Sequence, residues 1–556
     1  MMAQNEFVFA ALGGIGEIGM NLAIYGFGDQ RHRQWIIIDC GVSFASEEHL
    51  PGVDLILPDI RYLLEQRKNI LGLILTHGHE DHMGALIDLW PRLNVPLYAT
   101  PFTAALFEAK RASEPGAPQI PIETVPVGGH LSLGPFEIDF INVAHSIPES
   151  NALAIRTPAG TVVHTGDWKI DLTPVLGAPT DAAKLTALGD AGVLALIGDS
   201  TNAVREGRSP SEADVAKTLA GLIRDAPRRV AVTTFASHVG RLRAVADAAR
   251  AAEREVVLVG RAMERVAQVA RETGYLDGVQ DFRSVESYGY LPPDKVLALC
   301  TGSQGEPRAA LARIAKDEHP EVTLSRGDRV IFSARPIPGN EKAISEVING
   351  LITQGVEVIT DRTHLVHVSG HPRRDELRDM LGWVRPQILI PAHGEALHLA
   401  EHAELGRKAG VPQVIVCRDG DLIRLTPGPA GIVDKLPSGR LYKDGSLLIN
   451  AQSKSVAARR RLSFSGVVSV ALAIDDKGQL MADPEVELIG LPDTDAHGAP
   501  MLDIARDAVE EAFESLPKPR RRDPDTVAEA IRRSVRGAIA ERWNKKPICH
   551  VHVLTV

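Results

Sequence analysis

The sequence predicts an α/β protein that ends in a small α+β domain. Residues 55–170 alternate short apolar runs with segments of helical spacing, which is typical of a layered α/β domain. A second block of strand–helix alternation begins near Ser211. From Leu462 the pattern is strand, strand, helix, helix, strand, so the tail predicts two helices on a three-stranded sheet.

The first predicted strand runs into a glycine-rich segment. Gly14, Gly16 and Gly19 match the G-x-G-x-x-G pattern of dinucleotide-binding folds, and Asp39 lies 20 residues after Gly19. That fingerprint requires a helix next, whereas residues 20–27 are strand-like. We therefore predict an antiparallel start with glycine-rich turns. Two interpretations of Asp39 remain open: its carboxylate orients a metal ligand, or it caps a turn.

One loop carries a dense set of candidate metal ligands at the end of a buried strand. Residues 71–75 are apolar, and helical spacing begins at Asp81. His77 and His79 are two residues apart, so in an extended chain they point the same way. Asp81 and His82 project from the first turn of the helix. The loop can therefore present one pair of ligands to one metal ion and a second pair to another.

The alternative for this loop is a capped helix N-terminus with solvated histidines. The chain itself offers a comparison, because His550 and His552 have the same spacing in a predicted terminal strand. No Asp-His pair follows them, so we predict exposed histidines without metal at that position.

The complete His-x-His-x-Asp-His set at 77–82 resembles that of the metallo-β-lactamase superfamily. The resemblance implies three further ligands, and His145, Asp167 and His393 each follow a short apolar run, where α/β enzymes gather their chemistry. Imidazole and carboxylate ligands suit two zinc ions per chain, with manganese or magnesium as alternatives. By family analogy, one ion is held by His77, His79 and His145, the other by Asp81, His82 and His393, and Asp167 bridges them.

The resemblance also orders the chain into domains. The second α/β block lies between Asp167 and His393, so it is an insertion into the metal domain, as in the β-CASP nucleases. The implied fold is a metallo-β-lactamase αββα sandwich split by an inserted α/β domain. We predict the sandwich at 1–205 and 361–450, the β-CASP domain at 206–360, a linker at 451–461 and the α+β domain at 462–556.

Several motifs are similar to those of the ribonuclease J family, and the similarity covers essentially the whole chain. The family implies 5′-to-3′ exonuclease action on single-stranded, 5′-monophosphorylated RNA, with some endonuclease activity, in RNA maturation and decay. It also implies homodimers or homotetramers. The motifs are ALGGIGEIGMN at 11–21, TGSQGEP at 301–307, PIPGN at 336–340 and HVSGH at 367–371.

The family chemistry assigns roles to particular residues. Two metal ions activate a hydroxide that attacks the phosphodiester in line, with Asp81 among the catalytic ligands. His371 is the candidate proton donor to the leaving oxygen, and its alternative is a helix-entry residue before Pro372. Asp199, at a strand end, is the candidate to orient a ligand histidine. The residues expected to bind the substrate and its 5′ phosphate are Ser303, Gln304, His367, Ser369, Gly370 and His371.

Composition narrows the class of protein. The formal net charge of −10 over 556 residues argues against a generic nucleic-acid coat, although it leaves room for an enzyme with a local basic channel. The sequence contains no apolar run long enough to span a membrane and no signal segment. Its four cysteines are far apart, so we expect reduced thiols and a cytoplasmic location.

Two alternatives to a ribonuclease remain from other classes. A small-molecule metallo-hydrolase of the lactonase or thioesterase type would use the same ligands, but it needs no second domain over its site. An inactive RNA-binding scaffold is disfavoured by the intact ligand set.

Overall fold

The computed structural model describes residues 5–45, 49–337 and 339–556. Residues 1–4, part of the N-terminus where we predicted no signal segment, and Pro338 of the 336–340 motif lie outside this range. The strands, in chain order, are β1 (Glu6–Gly13), β2 (Leu22–Gly28), β3 (Gln34–Ile38), β4 (Ser43–Phe44), β5 (Leu55–Pro58), β6 (Ile70–Ile74), β7 (Leu97–Ala99), β8 (Glu123–Thr124), β9 (His130–Leu133), β10 (Phe136–Asn142), β11 (Asn151–Thr157), β12 (Gly160–His164), β13 (Ala195–Asp199), β14 (Val230–Thr233), β15 (Glu255–Val259), β16 (Val296–Cys300), β17 (Arg329–Phe332), β18 (Glu357–Ile359), β19 (Ile388–Ala392), β20 (Gln413–Val414), β21 (Asp421–Thr426), β22 (Gly431–Lys435), β23 (Arg440–Asp444), β24 (Leu447–Asn450), β25 (Val467–Ile474), β26 (Glu485–Ile489) and β27 (Ile548–Thr555).

The α-helices are numbered in chain order. Among the described residues, none of the helices combines the length and apolar character needed to cross a membrane. The helices are α1 (Arg61–Glu65), α2 (Glu80–Met83), α3 (Leu86–Leu93), α4 (Pro101–Ala112), α5 (Ala182–Ala191), α6 (Glu212–Arg224), α7 (Val239–Ala251), α8 (Arg261–Glu272), α9 (Ala310–Ala315), α10 (Glu341–Thr353), α11 (Arg374–Val384), α12 (Ala396–Lys408), α13 (Lys454–Ser465), α14 (Met501–Ser515) and α15 (Pro524–Trp543).

The described residues divide into two compact units. The first lies within Met1–Ser43 and Leu57–Arg440, and the second within Phe44–Ile56 and Leu441–Val556. The first unit holds most of both halves of the predicted metal domain and the predicted insertion, while residues 44–56 and 441–450 belong to the second unit.

Two large sheets form the sandwich of the first unit. One has the strand order β22-β21-β1-β2-β3-β6-β7-β8, and the other β20-β19-β13-β12-β11-β10-β9. Alternate residues of facing strands fill the space between them, including Phe7 and Tyr25 from one sheet and Phe136, Phe140 and Ile155 from the other. On the outer face of the second sheet, apolar side chains pack against helices α5 and α11. The sandwich and its helices match the predicted layered architecture.

The glycine-rich start confirms the antiparallel prediction. Strands β1 and β2 pair antiparallel, and β2 pairs antiparallel with β3, so no helix follows the glycines. Gly14, Gly16 and Gly19 have φ values of 90°, 90° and 111°, a region that favours glycine. The segment is therefore a strand-to-strand turn rather than a dinucleotide-binding loop.

Three neighbouring parallel strands of the second sheet end at one edge. Strand β13 pairs parallel with β12 on one side and with β19 on the other. Asp167 follows β12, Asp199 ends β13 and His393 follows β19. Because parallel strands present their carboxyl ends at the same edge, the topology gathers these side chains.

The inserted block has its own parallel sheet, ordered β15-β16-β14-β17-β18. All its pairings are parallel, and its strands are buried apolar runs covered by helices such as α9 and α10. The predicted helix–strand alternation is thus present from α6 to β18.

The tail folds as predicted, with the sheet order β26-β25-β27 and helices α14 and α15 against it. Val527, Ile531, Val535 and Ile539 form one buried face of α15.

Two local predictions are wrong. The helical spacing predicted from Asp81 to Trp90 is divided into α2 and α3, because the chain turns at Gly84 and the Ala85 amide donates to the Cys40 carbonyl. Most of the predicted linker 451–461 belongs to helix α13. Its alanine and arginine residues are good helix formers, and Ser453 caps its first turn.

Candidate metal centre and active site

The loop after β6 carries the first four predicted ligands. His79 is the N-cap of α2, with extended backbone, while Asp81 and His82 lie in the helix. His77 and His82 are fully or almost fully buried, whereas His79 and Asp81 are partly exposed. The strand end and the short helix therefore turn all four side chains toward one region.

One group of ring nitrogens converges around His79. Its Nδ1 lies 3.0 Å from His77 Nε2 and 3.1 Å from His145 Nε2. Asp167 Oδ2 lies 3.7 Å from the Nε2 atom of His77 and from that of His145. The four potential ligand atoms all lie within 4.8 Å of one another.

A second group shares Asp167 with the first. His82 Nε2 lies 3.2 Å from Asp167 Oδ2 and 3.6 Å from Asp81 Oδ2. His393 Nε2 lies 3.5 Å from Asp167 Oδ1 and 3.8 Å from Asp81 Oδ2. The structure thus brings together all seven residues that the sequence predicts as ligands, in two groups that meet at Asp167. We call these seven the metal cluster.

The electrostatics of the metal cluster suit a cation. Burial, followed by the neighbouring histidine His82, holds the pKa of His77 well below its usual range, and burial lowers the pKa of His79 to about 4. These rings are therefore neutral, and their facing nitrogens have lone pairs to share. Asp167 Oδ1 and His393 Nε2 are buried and have no hydrogen-bond partner among the described residues. Buried polar atoms without partners are costly, and a bound metal ion would satisfy them.

The remaining ring nitrogens are held by residues outside the metal cluster. His82 Nδ1 lies 2.8 Å from Asp39 Oδ2, and His393 Nδ1 lies 2.9 Å from Asn21 Oδ1. His145 Nδ1 donates to the carbonyl of Gly370 at 2.7 Å. Such partners fix the tautomer and orientation of a ligand histidine.

The hydrogen bonds of the Asp39 carboxylate go to Thr76 and His82, which agrees with the first of its two predicted interpretations. Asp39 has a φ of 64°, and its carboxylate accepts hydrogen bonds from the backbone amide and the hydroxyl of Thr76, each at 2.8 Å. The same carboxylate orients His82.

Asn21 was missed in the sequence. Its amide donates to the Asp81 carbonyl at 3.1 Å while its oxygen faces His393. The only signal was its position at the end of the 11–21 motif.

His371 lies at the edge of the metal cluster with its own carboxylate. Its Nδ1 is 2.8 Å from Asp199 Oδ2 and 3.9 Å from Asp167 Oδ2. Burial opposes protonation, but Asp199 and Asp167 outweigh it and raise the pKa of His371 to about 9. The histidine that Asp199 contacts is thus His371, and its predicted role in orienting a ligand histidine stays a prediction. Asp199 orients His371, because β13 places its last residue opposite the loop that follows Gly370.

Gln304, one residue of the predicted 5′-phosphate pocket, bonds to the loop that follows β17. The Gln304 amide donates to the Arg335 carbonyl at 3.0 Å, and its oxygen accepts from the Ile337 amide at 2.8 Å. The Gln304 backbone amide bonds to Glu306. The polar groups of Gln304 therefore hold the loop that contains Arg335 and Ile337, and its predicted role in phosphate binding stays a prediction.

The other predicted pocket residues differ in whether their polar groups already have hydrogen-bond partners. The Ser369 hydroxyl accepts from the Asn202 amide at 2.9 Å and from the His371 backbone at 3.3 Å, so it supports the candidate proton donor. Ser303 is buried, and His367 is buried with an Nδ1 that has no partner among the described residues. Gly370 uses its carbonyl on His145 rather than on a substrate.

A second set of buried charges lies beside the metal cluster, and we call it the ion network. It consists of Lys169, Asp171, Glu212, His238 and Arg241. The Lys169 ammonium lies 2.9 Å from Asp171 Oδ2, and Glu212 lies 3.1 Å from His238 Nε2 and 2.8 Å from Arg241 NH2. Burial opposes the charge of Glu212, but Arg241 and His238 hold its pKa well below the usual range.

The ion network connects the inserted domain to both sides of the metal cluster. Glu212 begins α6 and Arg241 lies in α7, both in the inserted block. The Lys169 amide donates to the Ala144 carbonyl at 2.8 Å, next to His145, and Arg241 NH1 donates to the Val366 carbonyl at 2.9 Å.

The fold and the metal cluster together define a class of protein. The chain is a hydrolase of the metallo-β-lactamase fold with an inserted β-CASP domain, and its His/Asp cluster serves a metal cofactor. Four family descriptions match successive parts of the chain. They are "Metallo-beta-lactamase superfamily" at 30–229, "Ribonuclease J, beta-CASP domain" at 227–351, "Zn-dependent metallo-hydrolase RNA specificity domain" at 355–416 and "Ribonuclease J C-terminal domain" at 454–556.

Similar curated proteins identify the family. A ribonuclease J of Sinorhizobium meliloti is 55% identical over 556 residues, which is 100% of this chain and 98% of the relative. Ribonuclease J of Corynebacterium glutamicum is 39% identical over 97% of this chain and 74% of the relative, and that of Mycolicibacterium smegmatis is 38% identical over 98% and 97%. The chain therefore belongs to the ribonuclease J family.

A solved structure shares the fold at low sequence identity. It is described as the crystal structure of a protein of unknown function from Enterococcus faecalis V583, and the match has a TM-score of 0.51 and 17% identity. The match covers 75% of this chain and 100% of that one.

Proposed function

We propose that this chain, a metal-dependent ribonuclease, is a 5′-to-3′ exonuclease that degrades 5′-monophosphorylated RNA with the help of two zinc ions. The observation that carries this proposal is the convergence of seven potential ligands from both halves of a split domain in a member of the ribonuclease J family. Endonucleolytic cuts at the same site are part of the proposal.

The metal cluster would hold the two ions. His77, His79 and His145 face one position, Asp81, His82 and His393 face the other, and Asp167 is common to both. Imidazole and carboxylate ligands favour zinc, with manganese or magnesium as alternatives. Bound divalent ions would supply positive charge to the phosphoryl oxygens and make water more acidic.

His371 would act as the general acid. With its Nδ1 held by Asp199, the opposite nitrogen is available to protonate the leaving ribose 3′-oxygen. The Asp199 carboxylate beside the ring raises the pKa of His371, which favours the protonated form that a general acid needs. Asp199 would stabilise the charged ring and orient it, and Ser369 would fix the backbone that carries it.

The 5′ end requires a pocket that measures from the terminal phosphate. We place it at Ser303, His367 and Ser369, with Gln304 shaping the adjacent loop. A monophosphate dianion would gain charge-assisted hydrogen bonds there. A triphosphate is too long for a closed pocket, and a 5′ hydroxyl leaves the donors unpaired.

The proposal is tested with one RNA prepared with three 5′ ends. Purified, metal-loaded protein should release mononucleotides from 5′-monophosphorylated RNA and act poorly on the 5′-triphosphate and 5′-hydroxyl forms. Ser303→Phe, which would fill the pocket, should slow mononucleotide release while internal cuts persist. Product lengths on a sequencing gel give both readings. Equal rates on the three ends in the wild type would refute the exonuclease assignment, and an unchanged preference in Ser303→Phe would move the pocket elsewhere.

We also propose that the chain forms a homodimer or a homotetramer, and only its family membership supports this oligomeric state. Light scattering of the purified chain measures it directly, and a monomer at micromolar concentration would contradict it.

A further inference from the structure

Three arginines with few partners lie next to the His371 segment. Arg373 is the N-cap of α11, two residues after His371. The backbone of Arg205 lies against the same helix start, since its carbonyl accepts from the Arg374 amide at 3.0 Å. Arg335 belongs to the loop that Gln304 holds through the Arg335 carbonyl. The three residues therefore come from the loop after β13, the loop after β17 and the start of α11. We call them the arginine trio.

The trio's positive charges are poorly compensated. The guanidinium groups of Arg205 and Arg373 form no ion pair or hydrogen bond with any residue in the described ranges, and Arg373 Nε is buried without a partner. Arg335 has one ion pair, with Asp361 Oδ2 at 3.1 Å. By contrast, the neighbouring Arg374 is paired with two glutamates.

The other two charges act on Arg205. Partial burial and then the charges of Arg335 and Arg373 outweigh Asp361 and hold the pKa of Arg205 below its usual value. Like charges held together in a partly buried place cost free energy unless an anion joins them. In a chain whose net charge is −10, this local excess of positive charge is not a general property of the surface.

We propose that Arg205, Arg335 and Arg373 form a binding site for one phosphate group of the RNA, beside the catalytic histidine. The planar guanidinium fork matches phosphate oxygens in pairs, which suits arginine better than lysine for this task. The ligand is either an internal phosphodiester or the 5′-terminal phosphate, and both have the same recognition chemistry. This inference rests on the proposed function only in that the substrate is RNA.

Single-charge variants of the full-length, metal-loaded chain test the site. Arg205→Gln and Arg373→Gln should each raise KM for 5′-monophosphorylated RNA about tenfold, the scale of one charged hydrogen bond, and leave kcat within about twofold. A lost contact to single-stranded RNA should also reduce the slope of log(kcat/KM) against log[salt] by about 0.7.

The matched control is Arg208→Gln. Arg208 lies on the same loop as Arg205 but is exposed and paired with Asp379, so its loss removes the same charge without touching the trio. Arg373→Lys keeps the charge and loses the fork, and it should recover only part of the affinity. Thermal unfolding of each variant shows whether it is folded.

Repeating the measurements on 5′-hydroxyl RNA identifies the phosphate. If the variants lose affinity for the monophosphate form only, the trio holds the terminal phosphate; if they lose it equally for both forms, it holds an internal one. If Arg205→Gln and Arg373→Gln change KM and the salt slope no more than Arg208→Gln does, the site is refuted. The wild-type rates in the same assay test the exonuclease proposal separately, since they do not depend on the variants.

Discussion

The metal cluster and the ion network are both buried groups of charged and polar side chains in the same compact unit, yet they differ in how their charges are balanced. In the ion network, the cations Lys169 and Arg241 face the carboxylates Asp171 and Glu212 at short distances. In the metal cluster, the neutral rings of His77, His79 and His145 face one another, and Asp167 Oδ1 and His393 Nε2 have no hydrogen-bond partner among the described residues.

This difference separates a structural cluster from a binding site. A network that contains its own counter-charges is satisfied by folding alone, whereas a buried set of facing lone pairs is satisfied only by a ligand. Burial and unusual pKa values occur in both regions, so neither property identifies the functional one. The pairing of charges does, because Lys169 and Arg241 of the ion network each have a carboxylate at 2.9 or 2.8 Å, whereas the nitrogens of His77, His79 and His145 face one another.

The largest expected effect comes from removing a ligand of the metal cluster. His77→Ala or Asp81→Ala should lose bound metal and reduce RNA cleavage to the background level, because each side chain serves one of the two groups. The fold should persist, since the sandwich core does not include them. Elemental analysis, a cleavage assay and circular dichroism check the three parts. Wild-type cleavage by a variant shown to lack metal would contradict the two-metal proposal.

The next prediction tests whether His371 acts as a general acid or as a metal ligand. Because the Nδ1 atom of His371 is held by Asp199 rather than by the metal cluster, we expect His371→Ala to retain both metal equivalents and the affinity for RNA. Its kcat should fall by about 10²–10⁴-fold, the scale of general acid catalysis. Metal content, RNA binding and single-turnover rates are the measurements. A large loss of affinity with unchanged turnover would make His371 a binding residue instead.

The ion network should respond in stability rather than in metal content. Glu212→Gln leaves two buried cations with one carboxylate, and removing one partner of a buried pair costs about 3–5 kcal/mol. Chemical denaturation should therefore begin at lower denaturant, while the metal per folded chain stays at the wild-type level. Glu404→Gln, at an exposed helix pair, is the control and should change little. Loss of metal from folded Glu212→Gln would show that the ion network is needed for metal binding and is not separate from the metal cluster.

The smallest effect is expected at the second His-x-His pair. His550 and His552 are exposed on β27, and no third ligand joins them in the described residues. The double variant His550→Ala, His552→Ala should keep the wild-type metal content and cleavage rate. Loss of one metal equivalent would show that sequence spacing alone is enough to create a site.

The sequence predicted the parts of the site that are local in the chain. The 77–82 loop was recognisable because five potential ligands fall within six residues after an apolar run. The strand-end positions of Asp167 and His393 follow from the α/β pattern, although their assignment as ligands came from the family resemblance. The strand–helix alternation of both α/β blocks was predicted because the apolar periodicity of these segments is strong.

The sequence could not show which distant groups pair. Asp199 pairs with His371, and Gln304 bonds to the loop that carries Arg335. Both outcomes depend on side-chain directions at a sheet edge, which periodicity does not encode. The helix at 454–465 was missed because a basic, polar composition was taken as a linker, whereas alanine and arginine are also good helix formers.

The pairing of β19 with β13 has a consequence for the order in which the molecule matures. Six of the seven predicted ligands precede residue 168, but His393 is made 226 residues after Asp167 and reaches them only when β19 docks. Closing so long a loop is slow compared with forming local contacts. During translation, the group of His77, His79, His145 and Asp167 can therefore form early, whereas the group that includes His393 waits until the inserted domain has left the ribosome. Each new chain should stay unable to cut RNA, including the message that encodes it, until its synthesis is well past residue 393.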